Sequence, residues 1–260
     1  MRTQRIYNEN CLDTMGRMND NFINLTVTSP PYDNLRTYNG YSFDFKSIAK
    51  ELYRVTKNRG VVVWVVNDAT IKGSETGSSF KQALFFKECG FNLHDTMIWK
   101  KPTIPYDPKC NRYWQTFEYM FILSKGKPIC NYIKVPCKNA GKLTPNDYGQ
   151  KRFDGSKRTD RYNKDRRIKD FKVKCNVWNY GIGKRHKGHP ATFPEELAND
   201  HIISWSNKGD LVYDCFMGSG TTAVACLNNN RNYIGSEISK DYCEIAEKRI
   251  EQHKAQQRLF

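Results

Sequence analysis

No two of the nine cysteines form a Cys-x-x-Cys pair, and their number is odd. That spacing speaks against a zinc ribbon and against a fully paired disulfide framework, and for reduced thiols in a cytosolic protein. Long apolar runs are missing as well. The longest, Val61 to Val66, is far too short to span a bilayer, so no membrane association is expected. The opening MRTQRIYNEN lacks the apolar stretch of a signal peptide, which makes the cytoplasm the expected compartment. Acidic residues are scarce beside basic ones, 27 against 42, for a net charge of +15. With a mean hydropathy of −0.75, the chain reads as a globular protein with a large polar surface.

The charge is concentrated. Residues 125–187 hold 19 Lys+Arg against 5 Asp+Glu, a local net of +14, which leaves the rest of the chain close to neutral. Tyr132, Tyr148, Phe153, Tyr162, Phe171, Trp178 and Tyr180 are interleaved with these cations. Cations that meet phosphates and rings that stack on bases are the footprint of a nucleic-acid surface, although a solvated basic loop has the same composition. The segment is also rich in turn residues and poor in apolar runs. It divides the chain into 1–124, an inserted 125–188 and 189–260.

On both sides of the insertion, strand-like and helix-like segments alternate. Arg5–Asn8, Ile23–Thr28, Val61–Val66, His94–Trp99, Tyr119–Leu123, Leu211–Phe216 and Asn232–Glu237 read as strands. Phe45–Thr56, Ser79–Cys89, Phe193–Ser204, Thr221–Asn228 and Asp241–Lys254 read as helices, with Pro194 in a first turn and Gly90 as a stop. This rhythm predicts an α/β fold with a mostly parallel sheet covered on both faces.

Two loops carry the chemistry. In the later one a strand ends at Asp214, and Phe216-Met217-Gly218-Ser219-Gly220 turns into the helix opened by Thr221 and Thr222. About twenty residues on, a second strand ends at Glu237, where an acid of a nucleotide-binding α/β unit meets ribose hydroxyls. The loop lacks a third fingerprint glycine and has no Gly-Lys-Ser/Thr, so it is neither a dinucleotide nor a phosphate loop. Acids at both strand ends suit a cationic, amino-bearing ligand such as S-adenosylmethionine. In the earlier loop, strand Asn24–Thr28 runs into Ser29-Pro30-Pro31-Tyr32. The two prolines remove backbone donors and leave carbonyls free to accept. Ser29 adds a hydroxyl and Tyr32 a flat ring, a set suited to holding an exocyclic amine and stacking a base flipped from its duplex. Asn67-Asp68, after Val61–Val66, either lines this edge or caps the next segment.

Together the loops resemble the DNA amino-methyltransferases, which act on cytosine N4 or adenine N6. That family carries an (Asp/Asn/Ser)-Pro-Pro-(Tyr/Phe) catalytic motif and an Asp-x-Phe-x-Gly-x-Gly cofactor motif. The order here, catalytic motif, basic insertion, cofactor motif, resembles the β-class permutation with its target-recognition region in between. The resemblance implies the S-adenosylmethionine-dependent methyltransferase fold, with a seven-stranded sheet whose last strand is antiparallel. It assigns catalysis to Ser29, Pro30, Pro31 and Tyr32. Asp214, Phe216, Gly218, Ser219, Gly220, Thr221, Thr222 and Glu237 fall to the cofactor. Pro190 and Phe193 join them through a His-Pro segment that holds the methionine part, and Asn10 replaces the Asp that reaches the cofactor's adenine. It further implies direct in-line transfer to the base nitrogen, release of S-adenosylhomocysteine and no metal. Double-stranded DNA is the implied partner, and a cognate restriction endonuclease acting on the same site is compatible with it. Ser29 at the head of Pro-Pro-Tyr leans toward N4 of cytosine, with N6 of adenine as the alternative. A nucleic-acid-binding protein without transferase activity, or an RNA methyltransferase, is the reading from a different class.

Overall fold

The computed structural model describes residues 1–31, 43–102, 112–143, 167–182 and 193–257. Tyr32 and Pro190, both assigned to the site from sequence, lie outside the described residues, as do Tyr148, Phe153 and Tyr162. The chain divides into two compact units, one of Met1–Asn131 with Asn176–Phe260 and one of Tyr132–Cys175.

In chain order the elements are β1 (Arg5–Tyr7), α1 (Cys11–Gly16), β2 (Ile23–Thr28), α2 (Phe45–Val55), β3 (Thr56–Val66), β4 (Thr70–Ile71), β5 (Ser74–Glu75), α3 (Ser78–Glu88), β6 (Asn92–Lys100), β7 (Phe117–Ser124), β8 (Lys134–Pro136), β9 (Phe171–Val173), β10 (Val177–Asn179), α4 (Glu195–Trp205), β11 (Leu211–Asp214), α5 (Thr221–Asn228), β12 (Asn232–Ser236) and α6 (Lys240–Gln257). The first unit is built on one sheet in the order β1-β12-β11-β2-β3-β7-β6-β10. All neighbours are parallel except around β7, which runs against both β3 and β6.

Two features depart from the expected sheet. Among the described residues it has eight strands rather than seven, because Val177–Asn179 pairs with Ile98–Lys100 of β6 and adds an edge. The antiparallel strand is fifth of the eight in chain order rather than last, since the half bearing the Gly-rich loop follows it. The extra strand is anchored by Trp178, which is only 4% exposed and packs on the ring of His201 at 4.6 Å. Tyr180 donates to the carboxylate of Asp200. Both rings therefore serve the core of the first unit and not a nucleic-acid surface.

The elements form where their patterns say they should. In α2 the buried residues Ile48, Ala49, Leu52 and Val55 make one stripe, and Asp44 caps the start by accepting from the Ser47 N–H. Strand β3 is apolar along both faces from Val61 to Val66, as befits a central strand. It starts five residues earlier than expected, through a bulge between the pairs Ile23–Thr56 and Leu25–Val61. Gly60 sits in that bulge because a Cβ there would lie 2.9 Å from the carbonyl oxygens of Asn24 and Lys57. Alternate residues of the sheet face two helical layers. Val62, Trp64, Phe121 and Tyr213 join residues of α1, α2 and α3 in one core. Helix α4 covers β2 and β3 and is followed by α5 and α6.

The second unit is a two-stranded antiparallel ribbon, with Lys134 opposite Val173 and Pro136 opposite Phe171, extended by a bridge between Leu143 and Arg167. Lys134, Lys169 and Lys172 line one concave surface with Asp170, Phe171 and Val173.

Candidate active site

The C-terminal ends of β2, β11 and β12 lie side by side, because the three strands are parallel neighbours. The two loops read from sequence emerge from this edge, where ligands of open α/β sheets bind. Strand β2 delivers Ser29, half-buried, then Pro30, buried, and Pro31, half-buried. Strand β11 ends at Asp214, whose carboxylate turns back to accept the Phe216 N–H at 3.1 Å.

Asp214 is the junction of the site. It is 1% exposed, and three donors converge on it. Thr28 Oγ1 reaches Oδ1 at 2.7 Å, Thr222 Oγ1 reaches Oδ2 at 2.6 Å, and the Phe216 N–H completes the set. Burial nevertheless pushes its carboxyl up to about 6, the three hydrogen bonds offsetting only part of the desolvation. The residue is enclosed by protein and ties the loop after β11 to the last residue of β2.

The Gly-rich turn is shaped by two left-handed residues. Gly218 has φ +52° and Gly220 φ +82°, and Gly220 caps α5. A Cβ at Gly220 would meet the Ala246 Cβ of α6 at 3.1 Å. Between the glycines, Ser219 Oγ is buried and has no hydrogen-bond partner among the described residues. Phe216 packs edge-on against Phe43 and Trp64. Arg249 of α6 holds the turn from outside. It donates to the Ser219 carbonyl at 3.2 Å and Thr221 Oγ1 at 3.0 Å while pairing with Glu195 at 2.9 Å.

Glu237 follows β12. Its Oε2 accepts the Gly218 N–H at 2.8 Å and its Oε1 the Ser239 N–H at 2.9 Å. Burial raises its pKa, against the pull of those amides, and Asp214 adds to the rise. Each oxygen keeps a lone pair for a further donor. Asn8 braces this corner by donating to the carbonyls of Glu237 and Ile238.

The structure thus brings together Ser29, Pro30, Pro31, Asp214, Phe216, Gly218, Ser219, Gly220, Thr221, Thr222 and Glu237 along one sheet edge. Asn10 caps α1, its side chain accepting from the Leu12 N–H at 2.9 Å. Phe193 is half-buried just before α4, whose cap is Pro194. Asp68 caps α3, accepting from the Ser79 N–H at 2.8 Å and from the hydroxyls of Ser78 and Ser79. Sequence reasoning passed over Thr28 as a partner of Asp214, and it missed Asn8 and Arg249. Only Thr28, at the strand end beside the loop, left a local signal.

The geometry fits an amino-bearing nucleoside. The turn offers an unpartnered hydroxyl at Ser219, left-handed glycines for close backbone approach, and a carboxylate at Glu237, with no cation of the kind a phosphate loop carries between Asp214 and Thr222.

Comparison with known proteins agrees. The DNA methylase model of N6/N4 methyltransferases matches residues 23–248. The chain is 56% identical over 241 residues to the orphan methyltransferase M.BamHII of Bacillus amyloliquefaciens, covering 89% of each chain. It is 24% identical to the type II methyltransferase M.SmaI of Serratia marcescens, over 96% of this chain and 91% of that one. Among solved structures, the fold matches the cytosine-N4-specific PvuII DNA methyltransferase with a TM-score of 0.71 at 20% identity, covering 96% of this chain and 86% of that one. It also matches TTHA0409 of Thermus thermophilus, solved in complex with S-adenosyl-L-methionine. There the TM-score is 0.63 at 22% identity, with 96% and 95% coverage. The chain belongs to the N6/N4 DNA methylase family and is a site-specific DNA amino-methyltransferase.

Proposed function

We propose that this chain methylates N4 of cytosine within a short recognition sequence of double-stranded DNA, with S-adenosylmethionine as the donor. The observation that carries the reading is the Thr28–Asp214 hydrogen bond of 2.7 Å, which places the Pro-Pro loop and the Gly-rich loop at adjacent strand ends.

In this reading Glu237 takes the ribose hydroxyls on its remaining lone pairs, and Ser219 Oγ gains the partner it lacks. The backbone at Gly218 and Gly220 lets the ligand approach the turn, while Pro190 and Phe193 border the methionine part and Asn10 lies toward the adenine. Bound there, S-adenosylmethionine supplies a methyl group on a positively charged sulfonium.

The chain's own work is on the base. Ser29 and the carbonyls of Ser29 and Pro30 accept the N–H groups of the exocyclic amine. They orient its lone pair and stabilise the positive charge that develops on nitrogen. Tyr32 stacks on the base after it leaves the duplex. The ribbon of β8 and β9 contacts the DNA, its lysines meeting phosphates.

Ser29 at the head of the motif is what favours cytosine over adenine. The relative named an orphan methyltransferase favours action without a companion endonuclease. Sequencing DNA from cells that express the protein, by a method that reports modified bases, tests the reading. N4-methylcytosine at one recurring sequence is the expected result. N6-methyladenine alone would move the target to adenine, and unmodified DNA would sink the proposal.

A further inference from the structure

Directly after β3, one strand across from β2 and its Ser29-Pro30-Pro31 loop, the chain makes a small hairpin that the site described above does not use. Strands β4 and β5 pair Thr70 with Glu75 and Ile71 with Ser74. The two residues between them, Lys72 and Gly73, have φ +49° and +81°. Positive φ at both central positions matches the twist of a tight two-residue hairpin.

So short a hairpin would not hold its shape alone in water. This one is braced at its base. The Thr76 N–H donates to the Ala69 carbonyl at 3.0 Å, and Ala69 is buried. Arg112 donates to Thr70 Oγ1 at 2.6 Å and approaches Glu75 at 3.6 Å. Just below, Asp68 is locked onto the start of α3.

The braced hairpin lifts an aliphatic side chain into solvent. Ile71 is 56% exposed, beside the exposed cation of Lys72. Next to Arg112, Tyr113 is fully exposed. Apolar groups with cations at the edge where a base must enter have an obvious occupant in the DNA stack. A base that swings out leaves a gap, and unstacking is costly unless something fills it.

We propose that the β4–β5 hairpin is a wedge: Ile71 enters the space vacated by the target base while Lys72 meets a neighbouring phosphate. Ile71 is a positioning residue in this scheme, since it touches neither the reacting nitrogen nor the cofactor. The proposal rests on the reading of the chain as an enzyme that acts on a flipped base.

The test compares wild type with Ile71→Ala on two duplexes bearing the recognised sequence. One is fully paired, and the other has an abasic site opposite the target base, which is therefore already loosened. Single-turnover methyl transfer and the fluorescence of a base analogue at the target position are followed, with S-adenosylmethionine affinity as the control. The variant should lose about tenfold or more in rate on the paired duplex, with a smaller fluorescence rise, and recover to within about twofold of wild type on the abasic duplex. Cofactor affinity should not change. Wild-type rate and fluorescence on the paired duplex, or an equal loss on both duplexes, would overturn the wedge. Wild-type protein that transfers no methyl group to either duplex would overturn the methyltransferase reading itself.

Discussion

Thr28 Oγ1 donates to Asp214 Oδ1 at 2.7 Å, joining residues 186 positions apart at the ends of adjacent parallel strands. Thr28 is the last residue before the Pro-Pro loop, and Asp214 the last before the Gly-rich loop. A displacement of either strand end is thus felt by both halves of the site. The enclosed carboxylate holds the two loops in register through its three hydrogen bonds.

The buried carboxyl makes stability depend on pH in a stated direction. In the folded protein Asp214 titrates at about 6, above its ordinary 3.8. Its contribution is therefore most favourable below the unfolded pKa and is lost as pH rises through the folded one. Asp214→Asn removes that titration. Between about pH 4 and 7 the stability difference should move in the variant's favour by up to about 3 kcal/mol. Urea denaturation of both proteins across this range checks it, and a difference independent of pH would contradict it.

Gly220 has φ +82°, and a Cβ there would crowd the Ala246 Cβ at 3.1 Å. Gly220→Ala should cost about 1–2 kcal/mol from backbone strain alone, with more from pushing α6 away from α5. Cofactor affinity should fall with it, since the same residue opens the turn. Chemical denaturation and calorimetric titration with S-adenosylmethionine measure the two effects. Unchanged values in both would show that the turn tolerates a Cβ.

Lys134, Lys169 and Lys172 border one concavity of the ribbon, together with Asp170. Replacing all three with alanine should flatten the dependence of log affinity on log salt by about 0.9 for each phosphate that is no longer neutralised. Affinity for S-adenosylmethionine should stay as in wild type. DNA binding measured over a range of salt concentrations decides it, and an unaltered slope would place the phosphate-binding cations elsewhere.

Much of this was legible in the sequence because the signals were local. Val61–Val66 reads as a central strand from its β-branched run alone, and Gly218 and Gly220 mark a turn with positive φ, which glycine adopts most readily. Ile48, Leu52 and Val55 reveal a helix by spacing. What escaped was set by distant partners. Val177–Asn179 lies in a basic stretch with no strand pattern of its own, and becomes a strand because β6 offers an open edge and His201 a surface for Trp178. Arg249 sits thirty positions from the Ser219 carbonyl it holds. The enclosure of Asp214 was equally invisible, since its three donors come from two separate segments and its own turn.

The most direct test of the two loops as one site is calorimetric titration of Thr28→Val with S-adenosylmethionine, alongside its rate of methyl transfer to DNA. Valine keeps the shape of threonine but leaves Asp214 Oδ1 with the Phe216 N–H alone. A loss of about tenfold in cofactor affinity, together with slower transfer, is the predicted result for removing one hydrogen bond to a buried charge. Cofactor affinity equal to that of wild type would show that the end of β2 does not support the Gly-rich loop, and would contradict the account.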